Sequence, residues 1–253
     1  MPLMRPYRAP ALEKGLEILE FLAPQPGPVT LSEISAGLGR SKSELYRMLQ
    51  VLEERGYLRR APGTEGYQLS NRLFMLGMEH PPVKGLMEVA PAHMHELADA
   101  ILQPCHLAVA SEEFIVVIAR VESPHDIGFM VRVGHRRPIP HSTSGLVLFA
   151  FQSESVREQW LQMLERKAVT FERKRMISAA RTIRTRGYVS IASEVVGCVT
   201  DLSAPIVLRG TAIAALTVPF VERRGANKAA REQAIGRLCA AAERISRTLD
   251  HGA

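Results

Sequence analysis

Two short polar signatures constrain this chain more than anything else in it: Thr30-Leu-Ser-Glu33 and Ser41-Lys-Ser-Glu44, on either side of Gly39. Each sets a hydroxyl at a helix start and a carboxylate three residues on. Each group can then satisfy an amide that the first helical turn leaves unpaired. The spacing predicts a short helix that buries Leu31, Ile34 and Leu38 and stops at Gly39. After a turn, a longer helix follows with Leu45, Met48, Leu49 and Leu52 on its inward stripe, closed by Gly56. Ahead of both, Leu12, Leu16 and Leu19 recur at helical spacing, widened by Ile18 and Leu22, until Pro24 and Pro26 end the segment. Three helices with a tight glycine-containing turn before the last describe a helix-turn-helix. Tyr57–Arg60 and Gly66–Leu69, separated by a Pro-Gly loop, read as the hairpin of a wing.

The outward positions of the third helix hold Lys42, Ser43, Tyr46, Arg47 and Gln50, with Ser41 at its head. Donors at the N-terminal end of such a helix reach phosphates and base edges, and the helix terminus itself favours phosphate. Any exposed helix also shows polar residues, so a protein-docking scaffold stands as a second reading. Glu44 opposes phosphate by its charge, and its capping role accounts for it.

Composition narrows the class without naming it. Hydrophobic residues make up 46% and charged residues 23% of the 253, which is globular and neither disordered nor membrane-like. No apolar run approaches the roughly 20 residues that span a bilayer. Glu13, Lys14, Glu17 and Glu20 interrupt any signal-peptide core. Cys105, Cys198 and Cys239 are widely spaced, which favours a reducing compartment, and the cytoplasm is the expected location. The net charge of +6 permits nucleic-acid binding. It does not locate it, because the first eighty residues are nearly balanced. In the basic stretch from Arg157 to Arg186, the residues around the apolar stripe Met176, Ile177, Ala180 and Ile183 read as a solvated helix face.

Pro81-Pro82 predicts a break, after which Val83 to Leu102 reads as a helix. Leu107–Ala110, Phe114–Val121, Ile127–Val133, Val199–Val207 and Thr211–Val218 read as strands, and a terminal helix buries Ile235, Leu238, Cys239, Ala242, Ile245 and Leu249. The arrangement is α+β, with helices packed on a mainly antiparallel sheet. Within it, Pro140-His-Ser-Thr-Ser-Gly145 precedes the apolar helical run Leu146 to Phe151. Hydroxyls there, with the free amides of a first helical turn, could hold a carboxylate without any cationic side chain. Ordinary helix capping is the alternative.

An enzyme is disfavoured: there is no G-x-S-x-G elbow, no phosphate loop and no dinucleotide fingerprint. His93 and His95 point to different helix faces and make a poor metal pair. His106, His135 and His141 could converge on a metal, which keeps a metal-dependent or enzymatic small-molecule-binding protein as the alternative function. No cofactor is expected.

The run Leu38-Gly-Arg-Ser-Lys-Ser-Glu-Leu-Tyr-Arg-Met-Leu49, with Leu52-Glu-Glu-Arg-Gly-Tyr-Leu58, resembles the recognition-helix segment of the IclR family of bacterial transcription regulators. Gly66 to Gly77 is similar to that family's wing exit and linker helix. Val133 to Gly145, Arg184 to Tyr188, Asp201 to Ile206 and Ile213 to Thr217 continue the resemblance in order and spacing. It implies a winged helix-turn-helix domain (1–70), a linker helix (71–82) and a GAF- or profilin-like effector domain (83–253). It further implies a homodimer, in some members a homotetramer, on operator DNA, controlling catabolic operons in response to a small organic acid. Thr143, Ser144 and Gly145 match effector-contact positions, as do Asp201, Ser203 and Thr217 on strands. Leu146 replaces the family's usual Lys or Arg and Pro219 a small polar residue. Asp201 would repel a second carboxylate but accept from a ligand hydroxyl, which favours a hydroxylated acid, sugar-derived or aromatic, over glyoxylate. A structural ion pair with an arginine is the alternative role for Asp201.

Overall fold

Both capping boxes close. The structure, a computed structural model, describes residues 9–79, 81–124, 131–194, 196–222 and 228–251. After α1 (Pro10–Leu22), Thr30 caps α2 (Leu31–Leu38), and its hydroxyl accepts from the Glu33 amide while the Glu33 carboxylate accepts from the Thr30 amide. Ser41 and Glu44 repeat the exchange at α3 (Lys42–Glu54). Gly39 in the left-handed region (φ 61°) ends α2, and Gly56 (φ 75°) follows α3. β1 (Leu58–Arg60) and β2 (Tyr67–Leu69) form the antiparallel wing, stitched to the segment before α2 by reciprocal Val29–Tyr67 backbone bonds of 2.9 and 2.8 Å.

The buried stripe of α1 differs from the one its leucines suggest. Ile18 and Leu22 enter the core with Ile34, Leu45 and Leu49, whereas Leu12 and Leu16 remain 63% and 49% exposed. Two ties flank that face and fit only this rotation: Arg40 forks onto Glu17 at 2.7 and 2.8 Å, and Lys14 lies 2.8 Å from Glu44. Beyond the wing, α4 (Arg72–Glu79) buries no side chain and leaves Leu73, Phe74, Met75 and Leu76 exposed.

The chain divides into two compact units between Pro81 and Pro82. The break expected at Pro81-Pro82 coincides with that boundary, but α5 (Pro81–Ile101) already begins on Pro81, ahead of the expected start at Val83. Proline suits the first turn, where its missing N–H would be unpaired anyway.

The second unit is a six-stranded antiparallel sheet in the order β5-β4-β3-β8-β7-β6. Its strands are β3 (Cys105–Ser111), β4 (Phe114–Val121), β5 (Arg136–Pro138), β6 (Val189–Ala192), β7 (Val199–Leu208) and β8 (Thr211–Val221). One face, carrying Leu107, Leu202, Leu216 and Val218, packs on α5 and the terminal helix α9 (Lys228–His251). The other packs Ala108, Ile115, Val117 and Ala215 on α6 (Thr143–Ala150), α7 (Glu154–Arg166) and α8 (Arg173–Arg186). The period of two then dictates which polar side chains face α6: His106 on β3, Asp201 and Ser203 on β7, and Thr217 on β8. On α8 the stripe Met176, Ala180 and Ile183 is buried and the basic residues are solvated.

Three strand expectations change. Residues 127–130 of the expected strand Ile127–Val133 lie outside the described residues, and 131–133 run into a turn at Gly134 (φ 81°). β5 and β6 went unforeseen because three or four residues at a sheet edge are too few to show a hydrophobic alternation.

Candidate functional site

On α3, Lys42, Ser43, Tyr46, Arg47 and Gln50 are all exposed and share one outward face, opposite buried Leu45 and Leu49. Ser41 is exposed too, but its hydroxyl is engaged by the cap. Gln50 Nε2 donates to the Tyr46 hydroxyl at 3.3 Å, which orders two side chains one turn apart. The hydrogen bond from Lys14, with those from Ser41, pushes the Glu44 carboxyl down to about 2. Its charge is thus already matched within the protein, which answers the objection that it would oppose phosphate.

In the second unit a cavity of about 510 Å³ lies between the sheet and the first turn of α6. Ser142 caps α6, its hydroxyl accepting from the Gly145 amide at 3.0 Å. The amides of Thr143 and Ser144 have no intrahelical acceptor at this end of the helix. Of the six residues that the resemblance singled out, Thr143, Ser144, Asp201 and Thr217 line the cavity. Gly145 and Ser203 stand behind the wall. A Cβ on Gly145 would meet the Ile139 carbonyl oxygen at 2.2 Å, so this glycine serves the close approach of α6 to the turn Ile139–His141. Ser203 is fully buried; its hydroxyl donates to Thr143 Oγ1 at 2.9 Å and lies 2.7 Å from Thr217 Oγ1, which in turn is 2.8 Å from Ser144 Oγ. Burying four hydroxyls is tolerable only because they satisfy one another.

A carboxylate here need not rely on amides and hydroxyls alone, because Arg132 and Arg137 also line the cavity. β5 is short, but its alternation sorts the two arginines. Arg136 stacks over the Phe114 ring at 4.4 Å, and Arg137, its neighbour, turns to the cavity, where its Nη2 lies 2.7 Å from Glu194 Oε2. The adjacent pair in Gly-His-Arg-Arg-Pro was the available signal. Asp201 lies in the same cavity. Burial raises its carboxyl above the ordinary range, while a hydrogen bond from Ser193 and the charge of Arg137 pull it back. Arg137 itself pairs with Glu194, so Asp201 shares the arginine's field without being its contact partner.

His106 and His135 face the same space. Burial, then the neighbouring His135, pushes the His106 imidazole down to about 4, so it is neutral at pH 7 with one donor and one acceptor nitrogen. His141 does not join them, its Nε2 lying 2.7 Å from the Thr170 carbonyl oxygen. Among the described residues no three His, Cys, Asp or Glu side chains form a group that could hold a metal ion. Nor is any helix among them long and apolar enough to cross a membrane.

A winged helix-turn-helix with donors along its third helix is the architecture of a DNA-binding transcription regulator, and here it is carried with a cavity-bearing α+β unit. Comparison with known proteins gives the lineage. Residues 11–62 match the IclR helix-turn-helix domain and residues 83–247 the bacterial transcriptional regulator IclR C-terminal domain. The chain belongs to the IclR family of bacterial transcription regulators. It is 28% identical over 224 residues to the HTH-type transcriptional regulator KdgR of Escherichia coli K12, covering 86% of this chain and 84% of that protein. The Thermotoga maritima IclR crystal structure is 26% identical with a TM-score of 0.71, covering 94% of this chain and 98% of that one. An IclR homolog from Microbacterium hydrocarbonoxydans, complexed with 4-hydroxybenzoate, shares the fold at 22% identity and a TM-score of 0.75, covering 96% and 100%.

Proposed function

We propose that this regulator binds a two-fold operator as a homodimer, or as a pair of dimers, and controls a catabolic operon from the cytoplasm. Its proposed signal is a hydroxylated organic acid, sugar-derived or aromatic, taken up in the cavity beside α6. In this reading residues 1–70 bind DNA through Lys42, Ser43, Tyr46, Arg47 and Gln50, with Ser41 ordering the helix end. Residues 71–82 link, and residues 83–253 sense.

The observation that carries the reading is the polarity of the cavity. Arg132, Arg137 and the first-turn amides of α6 favour an anion, and Asp201, His106 and the Thr143 and Ser144 hydroxyls accept from or donate to hydroxyls of the same ligand. A volume near 510 Å³ suits a small-molecule ligand. That 4-hydroxybenzoate occupies the Microbacterium protein agrees with this class of compound. The Ser144 hydroxyl bonds Thr217 and not a histidine, which supports binding over nucleophilic chemistry. The effector acts on DNA affinity only through a difference in its own affinity for two states of the protein.

Calorimetry of the full chain against sugar acids and hydroxybenzoates, followed by operator binding with and without the tightest acid, tests the reading. The double variant Thr143→Val, Asp201→Ala should lose about tenfold or more in affinity for that acid. Unchanged affinity in that variant moves the effector out of this cavity.

A further inference from the structure

The two partners of the Arg137–Glu194 pair differ in burial. Arg137 is anchored: its strand pairs with β4 in the register Ile115↔Arg137, and its side chain is only 24% exposed. Glu194 is 67% exposed and lies just past the end of β6, next to Ser193, which lines the cavity. The two meet where the main cavity adjoins a smaller one of about 50 Å³; Arg137, Ser142, Thr143 and Asp201 border both, and Glu194 borders only the smaller. A carboxylate in water can leave this contact at little cost, since ion pairs at the surface contribute little. The half-buried guanidinium, by contrast, needs an anion at that position.

We propose that Glu194 is a built-in competitor for the effector: its carboxylate occupies the Arg137 guanidinium in the empty protein and gives it up to the carboxylate of the incoming acid. The inference rests on the cavity reading above and assigns the anion's main partner within it. No proton or covalent bond moves; one carboxylate replaces another on the guanidinium fork, and Glu194 returns to water. Three consequences follow. Removing Glu194 tightens anion binding, removing Arg137 abolishes the dependence on Glu194, and a neutral isostere of the anion ignores both changes. Asp201, which borders the same two cavities as Arg137, stays in place throughout.

The test uses the full-length protein and acetate, the smallest carboxylate, followed by NMR at the Arg137 side chain and the Thr143 and Ser144 amides, with acetamide as the neutral control. In Glu194→Gln and Glu194→Ala the acetate midpoint at Arg137 should fall about two- to fivefold. In Arg137→Gln the midpoint at Thr143 and Ser144 should rise and no longer respond to Glu194→Gln. Acetamide midpoints should be equal in all variants. Equal acetate midpoints in wild type and both Glu194 variants overturn the competition while leaving the cavity reading intact. If acetate perturbs neither Arg137 nor the α6 amides in any variant, the cavity reading falls, and the competition with it.

Discussion

Gly145→Ala is the most demanding test of how this cavity is built. The added methyl would lie 2.2 Å from the Ile139 carbonyl oxygen, 2.7 Å from Ile139 Cα and 2.7 Å from Ser142 Oγ. Ordinary carbon contacts need well over 3 Å, so α6 and the turn before it must part by about 1 Å. Ile139 is fully buried and cannot swing aside. Overpacking against such an obstacle costs ~1–3 kcal/mol, and the upper end applies because the obstruction is backbone. Helix propensity returns ~1 kcal/mol, since alanine suits a helix better than glycine. The expected net loss is ~2 kcal/mol, or a drop of about 4–8 °C in the melting temperature of a domain this size. Scanning calorimetry of the full chain resolves a change of that size. An unchanged or raised transition would refute the claim that close approach, and not ligand contact, explains this glycine.

Two further outcomes are expected. Arg47→Ala should weaken operator binding by ~1–3 kcal/mol if its guanidinium reads a base, whereas a pure phosphate contact would weaken all sequences alike and flatten the salt dependence in anisotropy titrations. The His106 imidazole titrates near 4 when folded and nearer 6.5 when unfolded, so the unfolded chain takes up its proton first and stability falls as pH drops through that window. The full loss is roughly 3 kcal/mol, complete only below pH 4. In His106→Gln, denaturant unfolding at pH 7 and pH 4.5 should differ by clearly less than in wild type, and an equal difference in both proteins refutes the assignment.

The DNA-binding unit was legible because its signals are local. A capping box completes itself within four residues, and the turn glycine needs no distant partner. The rotation of α1 was not legible, because Lys14 and Glu17 find Glu44 and Arg40 only after the helices pack. In the second unit, period-two alternation placed Asp201 and Ser203 on one face. It could not show that β8 and α6 would close over Ser203 while leaving Asp201 open to the cavity. Arg137 escaped notice for a related reason. In sequence it is one of two adjacent arginines, and only the seating of Arg136 on Phe114 reveals which one turns to the cavity.

The four buried hydroxyls carry a direction as well as a geometry. Each owns a single proton. Ser203 gives its proton to Thr143, so Thr217 must give its own to Ser203, and Ser144 must give its own to Thr217. The chain therefore runs one way, from Ser144 to Thr143, like a row of magnets set head to tail. At the cavity wall Ser144 is left with lone pairs alone, and the Thr143 proton is the one the row does not consume. Two neighbouring hydroxyls that look interchangeable in sequence thus have opposite characters. A molecule that binds across them must present a hydrogen to one and an electron pair to the other, and its mirror arrangement would have to reverse every link in the row.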